Sequence, residues 1–148
     1  MFAPYPNRVS HVVWCVHPES FDDITAMFSE AFGVSFDKLD MHDGSLRVSF
    51  SLAHGVEVIA PSANGPKKFH DFLRTHGEGV YTVVYAVTDL DAVERRLHDR
   101  GIDVADRLVY TGRQPWAAEW AELEERVLPE SHGVRLTIGT MIPLEVTS

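Results

Sequence analysis

The chain has 148 residues, 45% of them hydrophobic, enough to fill one domain core or two matched half-cores. Its formal net charge of −9 repels phosphate backbones and anionic lipid, which leaves a nucleic-acid or membrane-surface role nothing to build on. A single cysteine, Cys15, excludes an internal disulfide; no apolar run approaches the length of a membrane span, and the opening residues lack a secretory pattern, so a cytoplasmic protein is expected.

Residues 8–16 alternate and are rich in β-branched side chains, which predicts a strand; Cys15 lies within it and packs there as a small hydrophobe. Pro18-Glu19-Ser20 then opens a helix whose apolar positions Phe21, Ile24, Met27, Phe28 and Phe32 recur at helical spacing, and Gly33 ends it. An extended stretch over 34–39 and a turn at Asp43-Gly44 lead to an alternating strand over 46–52 and another over 56–59. Pro61 to Pro66 is a linker, and Lys67 to His76 a short helix carrying Phe69, Phe72 and Leu73.

The order then repeats. A strand over 79–87, a helix over 89–100 ended by Gly101 and an extended stretch over 102–110 are followed by a long connection, a short strand at Val127-Leu128 and a last strand over 134–138. Both passes close on the same tripeptide, His54-Gly55-Val56 and His132-Gly133-Val134. The expected fold is α+β: tandem βαβββ modules over about 8–61 and 78–140, joined by a linker helix over 66–76, form one domain. Its curved, mostly antiparallel eight-stranded sheet surrounds a central cavity, with the helices outside. The connection from Thr111 to Glu125 breaks the symmetry. Good helix formers after Pro115 predict an inserted helix with Trp116 and Trp120 on one face. Those indoles either pack the insert onto the sheet rim or touch a ligand as part of a lid.

Strand alternation assigns faces if the more apolar set of each strand lies under the helices. Val12, Trp14 and Val16 then go to the helix side and leave His11 opposite; Val48, Phe50 and Leu52 leave Arg47, Ser49 and Ser51; Val56 and Val58 leave Glu57. In the second pass Thr82 occupies the place of His11, and Val134, Leu136 and Ile138 leave Arg135 and Thr137. These polar residues line either an ordinary solvated face or one concave surface. In the second case His11 and Glu57 suit metal ligation or acid–base work, while Arg47 and Arg135 could hold a carboxylate or an enolate oxygen, or Arg135 could bridge structurally to Glu57. No Walker loop, GxGxxG, GxSxG, CxxC or HExxH motif occurs.

With these residues the chain resembles the vicinal oxygen chelate superfamily of glyoxalases, bleomycin-resistance proteins, extradiol dioxygenases and epimerases. It is most similar to the methylmalonyl-CoA epimerase-like branch through Glu57-Val58-Ile59-Ala60-Pro61, Phe69-His70-Asp71-Phe72-Leu73, Gly77-Glu78-Gly79-Val80 and Val87-Thr88-Asp89-Leu90-Asp91-Ala92. The resemblance implies metal-ligand positions at His11, Glu57, Thr82 and Thr137, of which the first two keep ligand side chains. It also implies an acid near Asp43 in the epimerase scheme. Implied functions are an isomerase- or lyase-like enzyme moving a proton on an activated carbonyl compound, such as a CoA ester or polyketide-like molecule, or a metal-free drug-sequestering protein. In the enzyme reading His11, Glu57, Arg47 and Arg135 carry the chemistry, with Ser49, Ser51, Thr82, Thr137, Trp116 and Trp120 contacting the ligand. A divalent metal on His11 and Glu57 stays open, the partner is a small molecule, and a homodimer is implied.

Overall fold

The computed structural model describes residues 7–110 and 120–143, without the side chains of 120–122, 142 and 143. Its elements are β1 (Arg8–Cys15), a 3-10 turn (Pro18–Ser20), α1 (Phe21–Phe32), β2 (Asp37–Lys38), β3 (Leu46–Ser51), β4 (Val56–Pro61), α2 (Lys67–His76), β5 (Gly79–Ala86), α3 (Leu90–Asp99), β6 (Asp106–Val109), β7 (Trp120–Val127) and β8 (Leu136–Pro143). The fold is α+β, and each pass runs β-α-β-β-β. The backbone groups into two compact units: an N-terminal one, His11–Thr82, and a C-terminal one that begins at Val83 and takes in residues 7–10. Among the described residues no helix is long and apolar enough to cross a membrane.

In the N-terminal unit the strands lie in the order β2-β3-β4-β1. β1 runs parallel to β4, because α1 carries the chain back before the sheet resumes, while β2, β3 and β4 pair antiparallel through short turns. One face is covered by α1: Val16, Phe21, Val58 and Ala60 form the buried cluster, and Trp14, Ile24, Phe28, Phe36 and Val56 pack against it. Each fully buried large apolar side chain there contributes roughly 1.5–3 kcal/mol. Asp22 and Asp23 sit in the first turn of α1, where the positive end of the helix dipole favours carboxylates. The helix stops at Gly33, whose φ of 68° is cheap only without a side chain and lets the Gly33 and Val34 amides donate to Ser29 and Phe28. α2 buries Phe69, Phe72 and Leu73, and both phenylalanines meet the Tyr81 ring edge-on, at 5.0 and 5.2 Å.

In the C-terminal unit the order is β5-β8-β7-β6, again with the first and last strands of the pass parallel and the others antiparallel. The Asp89 carboxylate caps α3 by accepting the Ala92 amide at 2.9 Å. Beneath the helix Val87, Leu90 and Ile138 are buried, with Val93 and Leu97 against them. α3 is also tied to the sheet by charge. Arg126 of β7, only 7% exposed, donates to Glu94 at 2.5 Å, Asp91 at 2.8 Å and Glu124 at 3.1 Å. Burial works against its charge, but Asp91, Glu124 and Glu94 outweigh it and hold the guanidinium above its ordinary pKa. Arg107 of β6 joins the same network through Glu94.

The connection is where the sequence-based expectation fails. Residues 120–125, expected to be helical, begin β7, which pairs residue by residue with β8 from Trp120↔Pro143 to Val127↔Thr137, with a bulge between Trp120 and Glu122. Residues 111–119, including Trp116, lie outside the described residues. Glu, Ala and Leu favour a helix by only tenths of a kcal/mol per residue, and a complete ladder that also buries Leu123 outweighs that preference. The strand expected at Val127-Leu128 is therefore the end of a longer one. β8 likewise starts at Leu136, and Val134, expected under the helix, is exposed in the turn before it.

Candidate functional site

The register of the N-terminal sheet decides which side chains meet. Val13 pairs with Glu57, and Glu57 pairs with Phe50, so these three form a row on the face away from α1. His11 precedes Val13 by one alternation and shares that face. Its Nε2 lies 3.0 Å from the Glu57 Oε2; the His11 side chain is 1% exposed and that of Glu57 22%. The Phe50 ring stands edge-on to the imidazole at 5.0 Å. Cys15, Ile59 and Val48, paired across the next row, extend the apolar wall beside them. Burial pushes the Cys15 thiol up to about 12, with Glu78 adding to the shift, so it is a packing group there. The result is a buried imidazole backed by phenylalanine and a carboxylate that reaches into the open: a pair able to accept and return a proton.

Arg47, Ser49 and Ser51 are not part of this arrangement. The register sets them opposite Ala60, Val58 and Val56, on the helix-covered face. Arg47 donates to Asp22 of α1 at 2.8 Å, and its guanidinium lies 4.1 Å from the centre of the Phe21 ring. Ser51 Oγ lies 3.1 Å from His54 Nδ1. The expectation assumed that the apolar set of β3 must point at the helix. Instead Val48 and Phe50 line the His11 face, and the helix side takes two small serines under α1 with an arginine at the edge. Arg47 is therefore engaged with α1 rather than poised as an oxyanion donor, and Phe50, expected under the helix, packs against His11 instead.

The other expected site residues fall as follows. Thr82 is buried; Tyr81 next to it points to α2, so alternation puts Thr82 on the opposite face. Thr137 is buried beside its register partner Val84, on the face opposite Ile138 and α3. Arg135 lies just before β8 and pairs with Glu130 at 2.5 Å. Trp120 has its backbone in β7, and Trp116 lies outside the described residues. Asp43 is committed to a turn: it accepts the Ser45 amide at 2.9 Å, and Ser45 holds its carboxyl below the ordinary range.

A divalent metal is a poor fit to these donors. His11 and Glu57 converge, but two side chains fall short of the three or more a transition metal takes from a protein, and Thr82 and Thr137 offer only hydroxyls. Among the described residues no group of three or more His, Cys, Asp or Glu could hold such an ion. A surface groove along α3 is lined in part by the Arg107–Glu94 and His98–Asp103 pairs, with Arg95 and Asp99 beside them.

On the C-terminal unit the sequence reading missed Glu125. It pairs with Gly139 in β8 and so shares the face of Thr137, away from α3, while its neighbours Glu124 and Arg126 turn to the helix side. The Tyr110 hydroxyl donates to it at 3.5 Å. The alternation Leu123, Glu125, Val127 carried that signal, but the helix-forming composition hid it.

Residues 10–119 match the model of the glyoxalase/bleomycin resistance protein/dioxygenase superfamily. Among solved structures, a hypothetical protein of Bacillus halodurans is 15% identical with a TM-score of 0.72, over 97% of this chain and 99% of that one. A Streptomyces coelicolor methylmalonyl-CoA epimerase variant in complex with 2-nitronate-propionyl-CoA is 17% identical with a TM-score of 0.68, over 92% and 98%. The epimerase of Mycobacterium tuberculosis is 19% identical with a TM-score of 0.68, over 98% and 94%. At these identities the likeness is one of fold. No curated protein sequence matches the chain.

Proposed function

The chain belongs to the glyoxalase/bleomycin resistance protein/dioxygenase superfamily, and on that premise we propose that it is an isomerase- or lyase-type enzyme that moves a proton beside the carbonyl of a CoA thioester. The observation that carries this reading is the 3.0 Å contact between His11 Nε2 and the Glu57 carboxylate. Glu57, the more exposed of the two, takes the hydrogen next to the carbonyl as a proton; the C–H electron pair moves into the carbonyl to give an enolate, and a proton returns to carbon. His11 Nε2 stands 3.0 Å from the carboxylate and orients it by charge and proximity, and the Phe50 ring packs edge-on against the imidazole. Support for the thioester class comes from the epimerase neighbours, one of which is bound to methylmalonyl-CoA.

The test is solvent exchange. Purified protein is incubated in D2O with methylmalonyl-CoA and a set of other acyl-CoA thioesters, and deuterium uptake next to the carbonyl is followed by mass spectrometry. Wild-type protein exchanges at least one thioester, and Glu57→Gln slows that by about 100-fold, the scale of a lost general base. Absence of exchange with every thioester defeats the reading. A second reading, a metal-free binder that sequesters a small molecule, draws on Thr82 and Thr137, hydroxyl residues at positions where the family resemblance implies metal ligands. It predicts tight thioester or drug binding with no exchange.

A further inference from the structure

The joint between β4 and α2 holds a chemically reactive pair that the proposed function does not use. Of the chain's two asparagines, Asn7 and Asn64, only Asn64 is followed by a glycine. With no side chain on the following residue, that residue's amide nitrogen can swing against the asparagine side-chain carbonyl and close a five-membered ring. Asn64 is exposed, in the turn Ser62-Ala63-Asn64-Gly65. Packing requires the glycine. A β-carbon on residue 65 would lie 2.7 Å from the Ser45 carbonyl oxygen, 2.8 Å from the Pro61 β-carbon and 2.9 Å from the Ser62 carbonyl oxygen, and backbone oxygens cannot swing aside. The close approach of this turn to Ser45 therefore commits the chain to a labile Asn-Gly pair.

The same turn commits both reacting groups elsewhere. The Gly65 amide, which would be the nucleophile, donates to the Ser62 carbonyl at 2.8 Å and closes a β-turn. The Asn64 side-chain oxygen, on the carbon that would be attacked, accepts the Ser62 hydroxyl at 2.7 Å. Ser62 is itself anchored. Its amide donates to the Ser45 carbonyl at 3.0 Å, its hydroxyl lies 3.1 Å from the same oxygen, and its own carbonyl also accepts His70 Nε2 of α2 at 2.8 Å. Attack on Asn64 Cγ needs the Gly65 amide off the Ser62 carbonyl and the Asn64 side chain off the Ser62 hydroxyl, so the turn has to open first.

We propose that Asn64 is a deamidation site gated by this turn, closed while Ser62 holds both reacting groups and reactive once the turn opens. The Gly65 nitrogen bonds to Asn64 Cγ and loses its proton; the Cγ–Nδ2 bond breaks, and the side-chain nitrogen leaves with that proton as ammonia. Water then adds to either carbonyl of the succinimide and opens it to aspartate or isoaspartate. Nothing is oxidised or reduced. Aspartate keeps the main chain as it is, whereas isoaspartate adds a main-chain carbon in a turn with no room for a β-carbon at residue 65. The isoaspartate form therefore loses the Ser62 and Ser45 contacts that join β4 to α2.

The experiment ages the full-length chain at pH 8, folded in sodium chloride and unfolded in guanidinium chloride of matching concentration, and follows by peptide mass spectrometry the conversion of an amide to an acid at Asn64. Expected is conversion at Asn64 in the unfolded chain and a rate slower by at least about tenfold in the folded one. Ser62→Ala, checked by thermal melts to be folded, falls between the two. Hydrogen exchange of the Gly65 amide in wild-type protein supplies a measure that needs no variant: its protection matches the slowing of deamidation within about threefold, because one opening governs both. Equal rates in the folded and unfolded chain overturn the gate, as does folded Ser62→Ala ageing no faster than wild type. Absence of conversion at Asn64 in the unfolded chain overturns the site itself.

Discussion

His11 and Glu57 are not register partners, yet their side chains meet: Val13 is the residue opposite Glu57, and the imidazole reaches one alternation along β1 to bring Nε2 within 3.0 Å of the carboxylate. Such a diagonal contact depends on the parallel pairing of β1 with β4, which brings strand neighbours of the same direction into one row.

That contact gives a stability prediction separate from chemistry. Glu57→Ala leaves the imidazole, 1% exposed, without its carboxylate and costs about 1–3 kcal/mol in urea unfolding. Glu57→Gln keeps a hydrogen-bonding group there and costs less while losing turnover. Equal stability of Glu57→Ala and wild type would mean that the pair is incidental.

Arg47, on the helix-covered face, is expected to matter for folding alone. Arg47→Met loses the Asp22 pair and the stacking on Phe21, worth about 0.5–1 kcal/mol at an exposed site, and leaves thioester exchange within about threefold of wild type. A large drop in kcat would return Arg47 to the reaction.

The network around Arg126 sets an acid limit on stability. The Glu94 carboxyl is held below the usual carboxylate range, first by its hydrogen bond with Arg107 and also by Arg126. A depressed folded-state pKa contributes stability that is present above the unfolded value and lost as pH falls through the folded one. Melting temperatures measured from pH 6 down to pH 3 therefore fall more steeply for wild type than for Glu94→Gln. Arg126→Met, which takes the shared guanidinium from Asp91 and Glu124 and leaves Glu94 to Arg107, lowers stability at neutral pH by about 1–3 kcal/mol.

Cys15 reports on the integrity of the sheet. Fully buried, with its thiol pushed up to about 12 by that burial, it does not react with a disulfide reagent at pH 8 in folded protein and reacts stoichiometrically in guanidinium. Fast labelling of the folded protein would show that β1 opens.

The donor set makes a prediction about metal as well. With His11 and Glu57 as the converging side chains, added Zn²⁺, Co²⁺ or Ni²⁺ raises the melting temperature little, and exchange survives chelation. Elemental analysis showing one tightly held divalent ion per chain would require a ligand outside the described residues.

Much of the fold was legible because it rests on local rules. Helical spacing from Phe21 to Phe32 with Gly33 behind it, the span of α2, and the alternation of β1 all appear where the sequence implies them. The pairing of His11 with Glu57 followed from parity, since both strands present clearly unequal faces. β3 gave no such guidance: Val48 and Phe50 are apolar, but an apolar row fits either under a helix or along the wall of a site. β7 was illegible for a different reason, because its glutamates and alanine favour a helix until β8 offers a ladder.

Sequence alone determined the duplicated order of strands and helices, the helix stops, and which residues of a strand share a side. These depend on neighbours within a few positions. Only the tertiary structure decided which side each set faces, that Arg47 serves α1, that residues 120–127 are a strand, and that Glu125 stands apart from Glu124 and Arg126. Alternation fixes faces only relative to one another within a strand. The absolute assignment comes from hydrogen-bond register with strands far away in the chain, where a shift of one residue exchanges the two sides.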